Sequence, residues 1–405
     1  MSSKGGVYNA RRRIQMVPLN VLFKRFLKLG AVAYGGPAMM AQIKQKVVGE
    51  YKWVKESEFL QGMALCQLIP GATMVQIVTY VGYRLRGFWG AFLSSIAFVL
   101  PAFVALVILS TLYFKMQTLP FIQVLFKVLG TIVIALVLNA GISLGKSILK
   151  DWKVVLISVL SFVAFFYKLN VLLVFLFAAL AALLLRPKIS QAKAASSSEK
   201  PEQEKKGGKD HLLLGLLLGL ILAGLLITYV LDPRLTYLCL ILSKIGALAF
   251  GGGFTTIPLI QYELVDRLNW LTTKEFLDGI LMGQVTPGPI LITSTFVGYK
   301  VSGLLGALMA TIGVFFPSFF ILVLVVPYHD RLRGMKTVRI IEQGILGSFI
   351  GMLGIVLYNF GRVSFVDIPS VVFAAVAFLA LLKKVGLPYI LSGGGIVSIM
   401  LYFLS

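Results

Sequence analysis

The sequence predicts an all-α, polytopic helical membrane protein whose two repeats have inverted topology and contain discontinuous helices. Three observations predict this fold class: an apolar composition, a duplicated pattern of glycine and proline, and a one-sided distribution of Lys and Arg. Of the 405 residues, 58% are hydrophobic and 13% are charged, whereas soluble domains carry about 25% charged residues. Apolar runs at 171–185 and 212–231 approach or reach the length that crosses a bilayer. A lipid bilayer is therefore the expected surrounding of the chain.

The formal charge of +22 arises from 38 Lys and Arg residues against 16 Asp and Glu residues. In a soluble protein such an excess would indicate a nucleic-acid partner. Cytoplasmic loops of membrane proteins, however, collect Lys and Arg, and the sequence shows no nucleic-acid-binding module. We therefore expect no nucleic-acid partner.

Reactive and metal-binding residue types are sparse. Cys66 and Cys239 lie in apolar stretches, where a free cysteine behaves as a small hydrophobic residue. His211 and His329 lie in polar segments and cannot form a histidine metal cluster. The sequence contains no phosphate-binding loop, no Ser-His-Asp set and no HExxH motif. We predict no catalytic residues, no metal site and no cofactor, and we expect a protein that is not an enzyme.

A polar segment divides the chain. Residues 186–211 are rich in Ser, Lys and Glu and are interrupted by Pro187 and Pro201, a composition that cannot bury a core and is typical of a flexible linker. The predicted organisation is a first repeat at 1–185, a cytoplasmic linker at 186–211, and an extra helix followed by the second repeat at 212–405.

The two halves repeat the same landmarks. The stretch LKLGAVAYGGP at 27–37 matches LSKIGALAFGGG at 242–253, and WVKESEFLQGMALCQLIPGA at 53–72 matches WLTTKEFLDGILMGQVTPGP at 270–289. Further pairs follow in the same order: Gly82 with Gly298, Gly87 with Gly303, Gly90 with Gly306, and Pro101 with Pro317. Glycine, proline and tryptophan recurring in one order indicate an internal duplication.

Each half contains two apolar segments that are interrupted near the middle. Because proline and paired glycine break a helix, these segments are predicted to be discontinuous helices or re-entrant hairpins. The breaks are Gly35-Gly36-Pro37 and Pro70-Gly71 in the first half, and Gly251-Gly252-Gly253 and Pro287-Gly288-Pro289 in the second. Less interrupted spans are predicted over 88–114, 121–145, 152–167, 171–185, 212–230, 304–328, 338–360, 368–382 and 387–404.

Lys and Arg concentrate on one side of the predicted spans. If each broken segment crosses once, that side receives the basic N-terminus, the linker, the cluster at 331–339, and also Arg267 and Lys274. The N-terminus is therefore predicted to be cytoplasmic. An odd number of crossings separates the repeats, whether both broken segments of a repeat cross or both fold back. The repeats are accordingly predicted to be inverted.

Inverted repeats with matching broken helices are typical of secondary transporters, whose substrate lies near the membrane midplane. Half-helix N-termini favour an anion there, but unwound carbonyl groups can equally hold a cation. A transporter or channel for another small ion or an organic acid, and a membrane scaffold without transport, therefore stay open as alternatives. Glycine pairs often serve only helix packing, but breaks in duplicate positions favour a site. The break residues predicted to bind substrate are Gly35, Gly36, Pro37, Pro70, Gly71, Gly251, Gly252, Gly253, Pro287, Gly288 and Pro289.

Polar side chains near the breaks extend the predicted site. Lys28 and Lys244 occupy equivalent places; each either reaches the membrane interface or helps to neutralise an anion. Amide and hydroxyl donors, suitable for an oxyanion or for bonds between helices, flank the Pro-Gly breaks at Gln67, Gln284 and Thr286, with Thr73, Gln76, Thr255, Thr256, Thr293 and Ser294 nearby. Glu342 lies about two turns into a span and is the candidate for proton coupling.

The chain resembles the chromate ion transporter family in its long, two-domain form. The matching stretches are AYGGP, QLIPGATMVQIVTYVGYRLRGFWGA and FVLPAF in the first half, and AFGGGFTTIPLIQYELV, WLTTKEFLDGILMGQVTPGPILITSTFVGY and FFPSFF in the second. The chain departs from the family pattern at Ala72, where many members have a second proline, and after Pro37, where the family's histidine is missing.

The resemblance implies outward transport of chromate across the cell (cytoplasmic) membrane, with sulfate, a similar tetrahedral dianion, as a competitor or as the physiological substrate. Alternating access around the breaks is the expected mechanism. The sequence leaves the oligomeric state open, and a homodimer is one option.

Overall fold

The computed structural model describes residues 17–34, 36–187, 207–250, 253–328 and 336–404. The first half contains α1 (Leu19–Val32), α2 (Gly36–Lys44) continuing as a π-helix (Gln45–Glu50), α3 (Glu56–Leu68), α4 (Thr73–Met116), α5 (Pro120–Ile148), α6 (Trp152–Phe166) and α7 (Val171–Leu185). The second half contains α8 (Gly207–Leu231), α9 (Pro233–Ala247), α10 (Thr256–Ile260) continuing as a π-helix (Gln261–Arg267), α11 (Thr273–Val285), α12 (Thr293–Val325), α13 (Lys336–Ser364), α14 (Ile368–Leu382) and α15 (Leu387–Leu404).

These elements confirm an all-α, polytopic membrane protein. Within the ranges given above there is no β-strand, and five helices are long and apolar enough to cross a membrane. Most of the predicted linker, at 188–206, lies outside the described residues, and α8 already begins at Gly207.

Helices α4 and α12 each reverse direction at a glycine. Gly87 has φ 60° and Gly303 has φ 56°, values that glycine adopts at little cost. The reversal brings Thr79 Oγ1 to 3.0 Å from Ser95 Oγ, although residues 16 apart in a straight helix would lie about 24 Å apart. Helix α4 therefore has two arms, 73–85 and 88–116, and α12 has the corresponding arms 293–301 and 304–325.

The broken segments of the first half fold back on themselves. Hairpin 1 consists of α1 and α2, and its ends meet where the Arg25 guanidinium lies 4.9 Å from the centre of the Tyr51 ring. Hairpin 2 consists of α3 and the first arm of α4, and it is closed by an ion pair between Arg84 and Glu58. Arms of 13 or 14 residues reach about 20 Å, less than the roughly 30 Å of a bilayer core.

The second half repeats this arrangement. Hairpin 3 consists of α9 and α10 with its π-helix, and Arg267 Nη2 donates to Tyr237 Oη at 3.0 Å. Hairpin 4 consists of α11 and the first arm of α12, and Lys300 Nζ lies 2.6 Å from Glu275 Oε1. Of the two paths that the sequence left open for the broken segments, the structure therefore has the hairpin and not the single crossing. Because hairpin 3 folds back, Arg267 lies at the same end as the start of α9, and Lys274 follows at that end. The number of crossings between the repeats stays odd.

The second arms of α4 and α12 pack against each other in opposite directions. Phe88, at the start of the α4 arm, packs against Phe319 near the end of α12, with ring centres 5.9 Å apart. Thr111, near the end of α4, donates to Tyr299 Oη at 2.9 Å, beside the turn at Gly303 where the second arm of α12 begins. Equivalent helices that run antiparallel are related by a two-fold axis perpendicular to them.

Close backbone contacts fix each hairpin to its own repeat. A Cβ added to Gly30 of α1 would lie 2.2 Å from the carbonyl oxygen of Phe98, and one added to Gly246 of α9 would lie 2.1 Å from that of Val314. Small residues allow helices to approach this closely. The two halves therefore use the same packing at corresponding positions.

The remaining helices surround this centre. Helix α13 packs against α6 and α7, while α5 packs against α14 and α15. Helix α8 is attached at its ends, where Asp210 accepts a hydrogen bond from Tyr83 at 2.9 Å and Thr228 lies 2.8 Å from Thr236 of α9. Only 6% of its most apolar stretch is buried in the protein, so most of its surface is left for lipid.

Candidate functional site

The four hairpin tips meet in the middle of the molecule. We define tip 1 by residues 33, 34 and 36, tip 2 by 69–72, tip 3 by 248–250 and 253, and tip 4 by 286–289. The Gly71 N–H of tip 2 donates to the Ala249 carbonyl of tip 3 at 2.7 Å, and the Gly288 N–H of tip 4 donates to the Ala33 carbonyl of tip 1 at 2.9 Å. These bonds occupy equivalent positions, and each joins one repeat to the other.

Local backbone requirements explain the residues at tips 2 and 4. Gly71 has φ 137° and Gly288 has φ 126°, a region that side-chain-bearing residues rarely adopt. A Cβ on Gly71 would also lie 2.9 Å from Ser318 Oγ, and one on Gly288 would lie 2.6 Å from the Cβ of Ala102. Both conformation and space therefore require glycine at these two positions.

Each tip leads directly into a helix N-terminus. Helix α2 begins at Gly36, α4 begins at Thr73, a 3₁₀ turn begins at Gly253 and leads into α10, and α12 begins after the 3₁₀ turn Ile290–Ile292. The N-termini of α4 and α12 have no side-chain cap. Unpaired N–H groups and the helix dipole make such ends attractive to anions.

The glycine amides themselves are engaged with protein acceptors. Besides the Gly71 and Gly288 bonds, the Ala72 N–H donates to Ser318 Oγ of the opposite repeat at 2.7 Å. An anion that used these amides would have to replace the protein's own oxygen atoms. The tips are therefore closed against each other in this conformation.

The amide side chains predicted from the sequence lie in different surroundings. Gln76 is fully buried, and its Nε2 donates to the Pro70 carbonyl at 2.8 Å. Gln284 is also buried, and its Nε2 has no partner among the described residues. Gln67, the equivalent of Gln284, is exposed instead. Thr286 is buried and donates to the Gly283 carbonyl at 3.2 Å. Among the described amide and hydroxyl side chains named here, only Gln284 thus combines a buried position near a tip with an unused donor.

The hydroxyl groups near tips 3 and 4 bond to nearby carbonyls of their own hairpins. Thr255 donates to Phe250, Thr256 to Gly253, Thr293 to Ile290 and Ser294 to Leu291, at 2.6 to 3.0 Å. Hydroxyl-to-carbonyl bonds of this kind occur where helices start or bend. We therefore assign these hydroxyls a role in local structure and not in substrate binding.

The two equivalent lysines also differ. Lys244 forms an ion pair with the buried Glu263, which is in addition 2.7 Å from Arg267, so the charge of Lys244 is balanced within hairpin 3. Lys28 is exposed on α1. Glu342 is partly buried on α13, where the field of Arg339 reaches it. It lies apart from the tips.

Part of the predicted site cannot be placed. Gly35, Gly251 and Gly252 lie outside the described residues. Gly36 and Pro37 form the first turn of α2, and Pro70, Pro287 and Pro289 flank the two glycines of tips 2 and 4.

A buried carboxyl group was missed from the sequence. Asp278, in the middle of α11, is 1% exposed, and it accepts a hydrogen bond from Tyr113 Oη at 2.6 Å. The signal was present, because a single carboxylate interrupts the apolar run FLDGIL.

A basic cleft opens beside hairpin 3. Its volume is about 650 Å³, and its lining includes the cations Lys168, Arg267 and Arg362 together with a single carboxylate, Asp266. The cleft reaches Pro258 of α10, about a turn and a half from the 3₁₀ turn that starts at Gly253. Clefts lined mainly by one sign of charge concentrate ions of the opposite sign.

No group of three or more His, Cys, Asp or Glu side chains that could hold a metal ion occurs in the part of the chain that the structure describes. Cys66 and Cys239 are buried free thiols.

Four helical hairpins packed among long apolar helices define an integral membrane protein of the transporter type. The chain belongs to the chromate transporter family: the family model matches residues 21–183 and again 236–399. The two matches agree with the duplication.

Relatives support this assignment. The chain is 38% identical over 366 residues to an uncharacterized transporter of Methanocaldococcus jannaschii, covering 90% of this chain and 89% of that protein. It is 29% identical to the chromate transport protein of Cupriavidus metallidurans, covering 95% and 93%. An uncharacterized transporter of Bacillus subtilis is 30% identical over 142 residues, which are 72% of that protein and 34% of this chain. No solved structure matches the chain.

Proposed function

We propose that this protein is a secondary transporter that exports chromate, or a related tetrahedral oxyanion such as sulfate, across the cell membrane. The observation that carries the proposal is the meeting of four hairpin tips, each leading into a helix N-terminus, in the middle of the molecule. Helix N-termini stabilise an oxyanion without a bound metal or a dedicated side-chain charge. Membership of the chromate transporter family and the name of the Cupriavidus relative support chromate as the anion.

We infer that the two repeats are inverted and that the N-terminus is cytoplasmic. The antiparallel packing of the second arms of α4 and α12 supports inversion, since a two-fold axis perpendicular to spanning helices lies in the membrane plane. The folding back of hairpins 1 and 2 supports this orientation, because Lys52 and Lys55 in their loops then lie on the side of the N-terminus. The same folding moves Arg267 and Lys274 to the other side, so the Lys and Arg bias rests mainly on the N-terminus, the linker and the cluster at 331–339.

We infer that transport proceeds by alternating access, and the contacts between the tips support this. The substrate oxygens would replace the Ala249 and Ala33 carbonyls as acceptors for the amides of Gly71 and Gly288. Binding would thereby release the bonds that join the repeats and allow one repeat to move against the other. The basic cleft beside hairpin 3 is the proposed opening on the outer face, and the exposed Lys28 of α1 faces the cytoplasmic approach.

Within this proposal the break residues and Gln284 contact the substrate, and Gln67 and Thr286 lie at the edge of the site. Lys28 supplies positive charge, and Lys244 supplies it once its ion pair with Glu263 opens. Glu342, the coupling residue predicted from the sequence alone, is given no role in this proposal because it lies apart from the tips. A homodimer stays a prediction.

Flux of labelled chromate into proteoliposomes of the purified protein tests the function. We expect saturable uptake that sulfate competes for and chloride does not, because a dianion site discriminates by charge and shape. Liposomes without protein serve as the control. Lack of flux under every imposed proton or sodium gradient would contradict the proposal. If a cation or an organic acid were transported instead of chromate, that solute would be the substrate.

A further inference from the structure

Asp278 is a carboxyl group buried where two parts of the molecule meet. It lies on α11, eight residues before Thr286 of tip 4, or about 12 Å along the helix. All described side chains from Phe276 to Gln284 on this helix are buried. The partner of Asp278, Tyr113, belongs to the second arm of α4, so their hydrogen bond joins hairpin 4 of the second repeat to a helix of the first.

The bonding of Asp278 suits a protonated carboxyl better than a carboxylate. Its Oδ2 accepts from Tyr113 Oη at 2.6 Å, while its Oδ1 is buried and has no hydrogen-bond partner among the described residues. An ionised carboxylate can accept hydrogen bonds at both oxygens, and burying one without a paired cation is costly, above all within a membrane.

Nearby charges leave Asp278 without a counter-ion. Lys274 lies one turn earlier on α11 and forms no ion pair with Asp278 in the described structure. Glu275, of like charge, is neighbour to Asp278 and is paired with Lys300 from the first arm of α12. Lys274 and Lys300, the positive charges on hairpin 4 near Asp278, therefore form no ion pair with it.

Several charged groups on the other elements packed against α11 are already engaged, and no ion pair with Asp278 occurs among the described residues. On the π-helix after α10, Glu263 pairs with Lys244 and Arg267, and Asp266 accepts from Gln261. On α5, Lys127 pairs with Asp367 at 2.5 Å. The contacts that α5 and α13 make with α11 involve Gly130 beside Leu277 and Phe360 beside Phe276.

We propose that Asp278 is a proton-binding site that couples transport to the proton gradient. While hairpin 4 is packed against α4, the carboxyl holds its proton. When the hairpin moves away and water enters, the carboxylic acid releases that proton to water and becomes a carboxylate, and Tyr113 keeps its own proton throughout. Because the contact opens only as the repeats move, proton release is tied to the conformational change. This inference rests on the proposed transport function.

Glu342 is the competing candidate, and the two residues differ in their surroundings. Glu342 lies near the start of α13 with Arg339 on the same helix, and its side chain is partly exposed, whereas Asp278 is almost fully buried. Its stretch of α13 packs on α7 of the first repeat, where Gly344 meets Ala178, and not on hairpin 4 beside α4. Glu342→Gln is therefore the matched control for Asp278→Asn, since both changes replace a carboxyl group with an amide of the same shape.

The test compares two kinds of flux in proteoliposomes at neutral to alkaline pH, where the chromate dianion predominates. For Asp278→Asn we expect accumulation driven by an imposed pH gradient to fall at least tenfold, while exchange of external labelled chromate for internal unlabelled chromate continues. Glu342→Gln should keep both fluxes. Gradient-driven accumulation by Asp278→Asn at the wild-type level would overturn the proposal, and so would loss of both fluxes in folded protein, since Asp278 would then be needed for binding or structure.

Tyr113→Phe provides a second variant that leaves the carboxyl group in place. Removal of a donor to the carboxylate disfavours the ionised form, so the midpoint of the pH profile of transport should move upward by roughly half a unit or more while coupling is retained. An unchanged profile would contradict the role of the pair. If the wild-type protein transports no chromate at all, the proposed function fails rather than this inference.

Discussion

At the scale of single residues, the contact between the repeats depends on two glycines, which have no side chain. Gly71 and Gly288 adopt backbone angles that favour glycine and lie against the opposite repeat. Their amides make the bonds that close the tips. A methyl group at either position would disturb the tip conformation and the contact between repeats at once.

Gly71→Ala and Gly288→Ala are therefore expected to reduce chromate transport by more than tenfold and to destabilise the protein by about 1–3 kcal/mol through backbone strain. Gly215→Ala is the control, because a Cβ at Gly215 of α8 meets nothing within 4 Å. Flux and thermal unfolding in detergent measure the two effects. Wild-type flux in both tip variants would show that the tips are not the site.

The two lysines allow a test of charge balance at the same scale. Replacing Lys28 and Lys244 together with Gln should abolish transport while the folded protein persists, because two positive charges near the tips are lost. Lys244→Gln alone should also destabilise hairpin 3, since Glu263 keeps only Arg267 as a partner. Flux and size-exclusion profiles distinguish these effects, and unchanged transport by the double variant would remove both lysines from the site.

At the scale of elements, the unit of the fold is a pair of short helices that folds back before crossing the membrane. Contacts at the open ends hold the arms together, as with Glu58 and Arg84 of hairpin 2 and Glu275 and Lys300 of hairpin 4. In both pairs the side chains are partly buried, so they are screened less than surface ion pairs. These contacts fix the angle at which each tip enters the centre.

Arg84→Glu is expected to lower the free energy of unfolding by about 1–3 kcal/mol, because it places a second carboxylate beside Glu58. The exchanged variant, Glu58→Arg with Arg84→Glu, should recover part of that loss. Thermal unfolding of the single and double variants gives the coupling energy. Glu50→Gln, which removes the exposed pair with Lys46 within one helix, should have no measurable effect. Strictly additive losses would show that the pair does not hold the hairpin.

At the scale of the whole molecule, two repeats face each other through reciprocal contacts. The tips of each repeat bond to the tips of the other, and the second arms of α4 and α12 run antiparallel. An odd number of spanning helices between the repeats, with α8 as the last, is consistent with insertion of the second repeat in the opposite direction.

Cysteine labelling tests this arrangement. In a Cys66→Ala, Cys239→Ala background, Arg86→Cys and Ser302→Cys place thiols at the equivalent turns of α4 and α12. A membrane-impermeant maleimide should label the first from the cytoplasmic face and the second from the outer face. Labelling of both from one face would contradict inversion. The native thiols are buried, so their removal should leave the fold intact.

The sequence predicted the duplication, the positions of the breaks and most spans, because glycine and proline mark helix interruptions directly. It did not decide whether a broken segment crosses or returns. An interrupted run of about 30 apolar residues fits either path, and the contacts that decide it, such as Arg25 on Tyr51, join residues far apart in the chain.

The candidate site was predicted in outline only. Amides of Gly71 and Gly288 lie at the centre as expected, but their acceptors are carbonyls of the opposite repeat, which no local pattern reveals. The difference between exposed Gln67 and buried Gln284 likewise depends on tertiary packing. Asp278 was missed because its burial results from α4, α5 and α13 packing around α11.

The bonds between the tips involve only main-chain atoms, and this bears on how the two halves could diverge after duplication. The hydrogen bond from Gly71 to the Ala249 carbonyl does not depend on the side chain of the acceptor residue. Substitutions at such acceptor positions therefore leave the hydrogen bonds between the two halves in place. Gln61 stands in the first half where Asp278 stands in the second. The two halves therefore share a backbone arrangement at the tips while only the second carries an ionisable group at this position, as the proposed proton coupling through Asp278 requires.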